Sequence, residues 1–157
     1  MKILYCLVLA ASAGAALLAT APAMAKHGVI ITLPDRRVAV LSEGDLEGAS
    51  IGSYSVSVFK DRSLIDFEAG AVFSRDGSIF DNEGRPRVKF ADITGDGTEE
   101  LIVSKLTAGS GNYLEVDALR IDPYGVSLLV RIRTDTRHDE VAELKAACQR
   151  RSCAVRR

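Results

Sequence analysis

The chain has 157 residues, 47% of them hydrophobic and 26% charged, and its 20 basic side chains stand against 21 acidic ones for a formal charge of −1. So even a balance lacks the basic excess of a nucleic-acid binder and points to no strongly charged substrate. No stretch beyond the first twenty residues approaches the roughly 20 apolar residues of a bilayer crossing, so no membrane span is expected after the leader.

The leader comes first in the chain. Lys2 supplies a short charged start, Ile3 to Ala19 is apolar, and Ala23-Met24-Ala25 satisfies the small-residue cleavage rule, so a secretory signal peptide over 1–25, cut after Ala25, is expected. Cys6 leaves with it. The remaining 26–157, roughly 130 residues, is one domain's length and can bury about two-thirds of its unfolded surface.

The pattern that follows is strand after strand: Val29 to Leu33, Val38 to Leu41, Ser50 to Phe59, Leu64 to Phe73, Val88 to Ile93, Leu101 to Leu106, Tyr113 to Ile121 and Val126 to Ile132. Ser53-Tyr54-Ser55-Val56-Ser57-Val58 alternates small polar with apolar residues, which turns Tyr54, Val56 and Val58 inward. Asp122-Pro123-Tyr124-Gly125 is a hairpin signal, with proline preset for the second position of a turn. Short, regularly spaced strands predict a mainly β fold, an antiparallel sandwich or barrel-like sheet, and a helical pattern from Asp139 to Ala147 adds one short C-terminal helix. No strand–helix alternation suggests a Rossmann-like sheet.

Past the leader only Cys148 and Cys153 remain, and an oxidising compartment favours joining them. Residues five apart on a continuous helix face different ways, so a Cys148–Cys153 disulfide requires the helix to break near Cys148. A redox-active pair and a zinc site are the weaker alternatives, the latter for want of nearby histidines.

Two glycine-punctuated turns flank the Leu101 to Leu106 strand. In the first, Asp92, Thr94, Asp96, the Thr98 carbonyl and Glu100 could offer hard oxygens to calcium around a bend at Gly97. Thr94 stands where such loops usually carry Asp or Asn, and Val103 stands where an EF-hand would need its bidentate Glu. The plainer alternative is a turn whose Asp side chains bond local amides, with no cofactor. The second turn, Thr107 to Tyr113, displays Ser110 and Tyr113. Gly109 and Gly111 directly flank Ser110 and a strand follows, which is not the strand-to-helix context of a nucleophile elbow. His27 and His138 have no suggestive spacing to a serine, cysteine or acidic motif. Asp66, Glu68 and Glu115 do not declare themselves a glycosidase pair, because their separation is not legible in sequence. No catalytic constellation emerges, and an enzyme is not expected.

Glu43-Gly44-Asp45-Leu46-Glu47, Ser50-Ile51-Gly52-Ser53-Tyr54-Ser55-Val56, the Asp92 to Glu100 turn and Ser110-Gly111-Asn112-Tyr113 occur in an order that resembles the periplasmic inhibitors of invertebrate-type (i-type) lysozyme. The resemblance spans most of the mature region. It implies an exported, periplasmic β-protein that blocks a lysozyme cleft, with Ser110, Gly111, Asn112 and Tyr113 as the partner-binding loop and Ser110 and Tyr113 carrying inhibition. A homodimer is left open. Three other functions compete: a calcium-stabilised surface or adhesion module, an inhibitor of c-type lysozyme, and an exported hydrolase.

Overall fold

The computed structural model describes residues 28–33, 35–44, 53–71, 78–106 and 112–153. The expected signal peptide, Ser110 and Gly111 lie outside them.

Eight strands and one helix follow in the expected order: β1 (Gly28–Thr32), β2 (Val38–Glu43), β3 (Ser53–Lys60), β4 (Ser63–Ala71), β5 (Val88–Ala91), β6 (Glu100–Leu106), β7 (Tyr113–Asp122), β8 (Gly125–Asp135) and α1 (Glu140–Arg151). They form two four-stranded antiparallel sheets, β1-β2-β3-β4 and β5-β6-β7-β8, each in sequence order, so the fold is the sandwich and not a closed barrel.

Two apolar layers explain the patterning. Between the sheets, Leu41, Tyr54, Val56 and Val58 meet Leu101, Val103, Leu119 and Val126. On the far side of the second sheet, Ile102, Leu114, Val116, Ala118 and Val130 pack against Leu144, Ala147 and Cys148 of α1. β6 is therefore covered on both faces, which is why Leu101-Ile102-Val103 reads as an unbroken apolar run, whereas β3 alternates as expected. The β7–β8 hairpin turns where expected, with Asp122 paired to Gly125 and the Asp122 carboxylate accepting from the Tyr124 and Gly125 amides.

The helix corrects the expectation about its end. Asp139 caps it, its carboxylate accepting from the Val141 and Ala142 amides, but α1 runs past Cys148 to Arg151. The reversal comes at Ser152, in the left-handed region at φ 51°, where the Cys153 and Ser152 amides donate to the Cys148 and Gln149 carbonyls. This pattern brings the side chains of the fourth-last helical residue and the second residue beyond the helix together. Here those residues are Cys148 and Cys153. No helix break at Cys148 is needed. The thiols are unbonded in the structure, and burial, reinforced by the neighbouring Cys153 thiol, pushes Cys148 up to about 12.

Candidate functional site

β6 and β7 pair from Leu101–Leu119 to Leu106–Leu114, so the chain leaves the second sheet at Leu106 and is back in it at Tyr113, at one end of the sandwich. Asn112 re-enters at φ 50°, a left-handed conformation that asparagine tolerates better than most residues, and its carbonyl accepts from the Thr136 amide at 3.1 Å. Tyr113 follows as the first residue of β7, 61% exposed and in register with Asp135. Asp135 is gripped by Arg137 through Nη2 at 2.7 Å and through its amide at 2.9 Å, and it contacts His138 Nδ1 at 2.9 Å. The Arg137 guanidinium and then the Arg137 amide hold its carboxyl far below the usual carboxylate range.

Below Tyr113 the inter-sheet layer changes from apolar to ionic. Lys105 Nζ lies 2.7 Å from Glu115 Oε1 and 2.8 Å from Asp117 Oδ2. Arg131 forks onto Asp117 at 2.6 and 2.9 Å, and the Tyr54 hydroxyl donates to the same carboxylate. Lys105 and Asp117 are fully buried, and the ammonium stands 5.0 Å from the centre of the Tyr54 ring. Burial acts upward on Asp117, but the Arg131 hydrogen bonds and the Lys105 charge outweigh it and leave the carboxyl below its ordinary range. Burial, followed by the Asp117 charge, raises the Tyr54 phenol instead, so it stays a donor. Tyr54 fits only because its register partner is Gly70: a Cβ there would lie 2.4 Å from the tyrosine Cε1.

Sequence reasoning turned Tyr54 inward correctly but missed Lys105, Asp117 and Arg131. The available signal was a lysine closing the apolar run of β6 and an acidic pair, Glu115 and Asp117, two apart on a buried strand.

The five residues considered for calcium lie at the opposite end of β6, about 20 Å away along a seven-residue strand. Asp92 accepts from the Gly95 and Gly97 amides at 2.6 and 2.9 Å, and Asp96 from the Thr98 amide at 2.8 Å. Arg120 reaches in from β7 to Asp96 at 2.9 Å, to Thr94 Oγ1 at 3.0 Å, and to the buried Glu100, whose other oxygen accepts from the Ile93 amide. The structure thus brings Thr94, Asp96 and Glu100 together around a guanidinium, while Asp92 serves its own turn and the Thr98 amide caps Asp96. Among the described residues, no three His, Cys, Asp or Glu side chains are grouped so as to hold a metal ion.

A sandwich that braces one hairpin from beneath with a buried ion cluster and holds a half-exposed tyrosine at its mouth has the form of a protein-binding module. The chain belongs to the family of periplasmic lysozyme inhibitors of I-type lysozyme, whose model matches residues 25–148. Among solved structures it is similar to PliI-Ah, the periplasmic inhibitor of I-type lysozyme from Aeromonas hydrophila, at 32% identity over 74% of this chain and 98% of that one, with a TM-score of 0.62. It is equally similar to the Aeromonas hydrophila PliI solved in complex with Meretrix lusoria lysozyme, at 32% identity over 75% and 94% of the two chains and a TM-score of 0.61. The comparison with curated proteins gives no match.

Proposed function

We propose that this protein inhibits i-type lysozyme in the periplasm by inserting the 107–113 hairpin end, with Ser110 and Tyr113 foremost, into the lysozyme cleft. The observation that carries it is Tyr113, more than half exposed, at the mouth of a hairpin whose base is fixed by the Lys105–Glu115 ion pair. The relative solved with Meretrix lusoria lysozyme supports the choice of partner.

A glycosidase cleft carries two carboxylates in different protonation states and receives hydroxyl-rich rings. The Ser110 hydroxyl is suited to donate to the ionised carboxylate, and the Tyr113 ring offers a flat face to a sugar subsite and a phenol for a further bond. Fixing the strands on either side of the loop lowers the entropy lost on binding, so affinity gains from the ion cluster. Ser110→Ala should weaken inhibition about ten- to a hundredfold if the bond is charge-assisted. An inhibition constant unchanged in both Ser110→Ala and Tyr113→Ala would move the key contact elsewhere.

A further inference from the structure

Between the free edge of β8 and the last turn of α1 lies a recess of about 560 Å³ whose charged lining is Arg131, Arg133, Arg150 and Arg151 against one carboxylate, Glu115. In a chain of formal charge −1, such a concentration of one sign is a local feature. We propose that this recess is a binding site for a phosphate-bearing anion with more than one phosphoryl group or ester.

The internal carboxylates meet only part of this charge. Glu115 already faces Lys105, Arg131 and Arg133, and Asp117 is shared by Lys105, Arg131 and Tyr54. No carboxylate among the described residues pairs with Arg150 or Arg151. Arginines in a last helical turn are commonplace, because they complement the negative end of the helix dipole. That accounts for the position of Arg150 and Arg151 but not for their meeting Arg131 and Arg133, which arrive from the strand edge, where Asp117 holds Arg131 and Glu115 lies against both. The same dipole would oppose an anion, but the Cys148 and Gln149 carbonyls are already capped by the Cys153 and Ser152 amides, and the lining sets four guanidinium groups against one carboxylate.

The chemistry of the lining selects the ligand. Guanidinium groups are planar forks that match pairs of phosphoryl oxygens, and they stay charged at every physiological pH. Asp117 fixes one of the four by a two-point bond, so that part of the site is preorganised. Two sources share this chemistry: a soluble pyrophosphate-type ester, or the phosphate headgroups of an anionic membrane.

The test is calorimetric titration of the exported chain with pyrophosphate at low salt, beside co-sedimentation with phosphatidylglycerol and phosphatidylcholine vesicles. Wild type, an Arg150→Ser/Arg151→Ser double variant, and Arg85→Ser on a distant turn would be compared, each checked for an unchanged melting temperature. Saturable pyrophosphate binding, weakened about tenfold or more in the double variant and unaltered in Arg85→Ser, is the expected result. Pelleting with phosphatidylglycerol alone, lost in the double variant, would assign the source to a membrane, and pyrophosphate binding without pelleting would assign it to a soluble ester. Absence of saturable binding, or equal binding by the double variant, would overturn the site. So would loss of lysozyme inhibition in the double variant without any pyrophosphate binding, which would make the recess part of the protein interface.

Discussion

Lys105 and Glu115 stand opposite one another in the register of β6 and β7, with the lysine Nζ 2.7 Å from the glutamate Oε1, one residue pair below the last pairing of the hairpin that leads to 107–111. The ammonium is fully buried and satisfies two carboxylates at once. Taking charges out of water is costly, and a buried cluster of this kind is repaid only by its internal pairing, so removing one member costs more than the pair itself contributes.

Lys105→Ala should therefore lower unfolding free energy by about 3 kcal/mol, read by urea denaturation. Lys60→Ala, at the exposed end of β3, should stay within about 0.5 kcal/mol. Equal, small losses in the two variants would show that the cluster does not brace the hairpin.

Acid should undo the same cluster. The native Asp117 carboxyl is held below its ordinary range by Arg131 and Lys105 in spite of burial, and Asp135 is held down by Arg137. A depressed carboxyl contributes stability that is complete above the unfolded value, about 3.9, and is lost as pH falls through the native value. Stability should be flat from neutral pH to about 5 and fall steeply below about 4. Urea midpoints measured across that range should show a shallower acid fall in Asp117→Asn, on top of a lower starting stability. An identical acid slope in the variant would remove Asp117 as its source.

The Cys148 and Cys153 thiols are positioned by the Ser152 reversal so that oxidation needs no helix break. Closing so small a loop should add about 2 kcal/mol in the chain-entropy picture. Mass spectrometry of protein recovered from the periplasm should find two hydrogens fewer than the dithiol, and reductant should lower the melting temperature modestly. Two free thiols in freshly recovered protein would show that the bridge is not used.

Around Asp96 and Glu100 the positive charge is supplied by Arg120. Calcium titration should accordingly give no thermal shift, and Arg120→Ala should destabilise the protein by leaving Glu100 buried without its cation. A clear rise in melting temperature on adding calcium to wild type would show that the oxygens can release Arg120 and serve a metal.

Much of the fold was legible because burial follows period. Alternation marked β3, the unbroken apolar run marked β6, and the proline–glycine turn marked the β7–β8 hairpin. Boundaries were less legible where polar chemistry decides them. β5 stops at Ala91 because the Asp92 carboxylate turns the chain, and α1 outruns its apolar face because Gln149, Arg150 and Arg151 are good helix formers facing solvent. Its stop signal is a serine in a conformation that usually favours glycine. An acidic, glycine-rich loop reads alike whether a metal or an arginine neutralises it, and Arg120 is 24 residues from Asp96. The buried cluster was hidden for the same reason: Tyr54, Lys105, Asp117 and Arg131 lie far apart in sequence, and only strand pairing and sheet packing bring them together.

The most direct measurement is residual peptidoglycan lysis by i-type lysozyme as the exported chain is titrated in, with c-type and g-type enzymes alongside and with chelator present or absent. The expected result is stoichiometric block of the i-type enzyme, indifferent to chelator and greatly weakened when Ser110 and Tyr113 are both replaced by alanine. Undiminished lysis by the i-type enzyme at excess of the folded chain would contradict it.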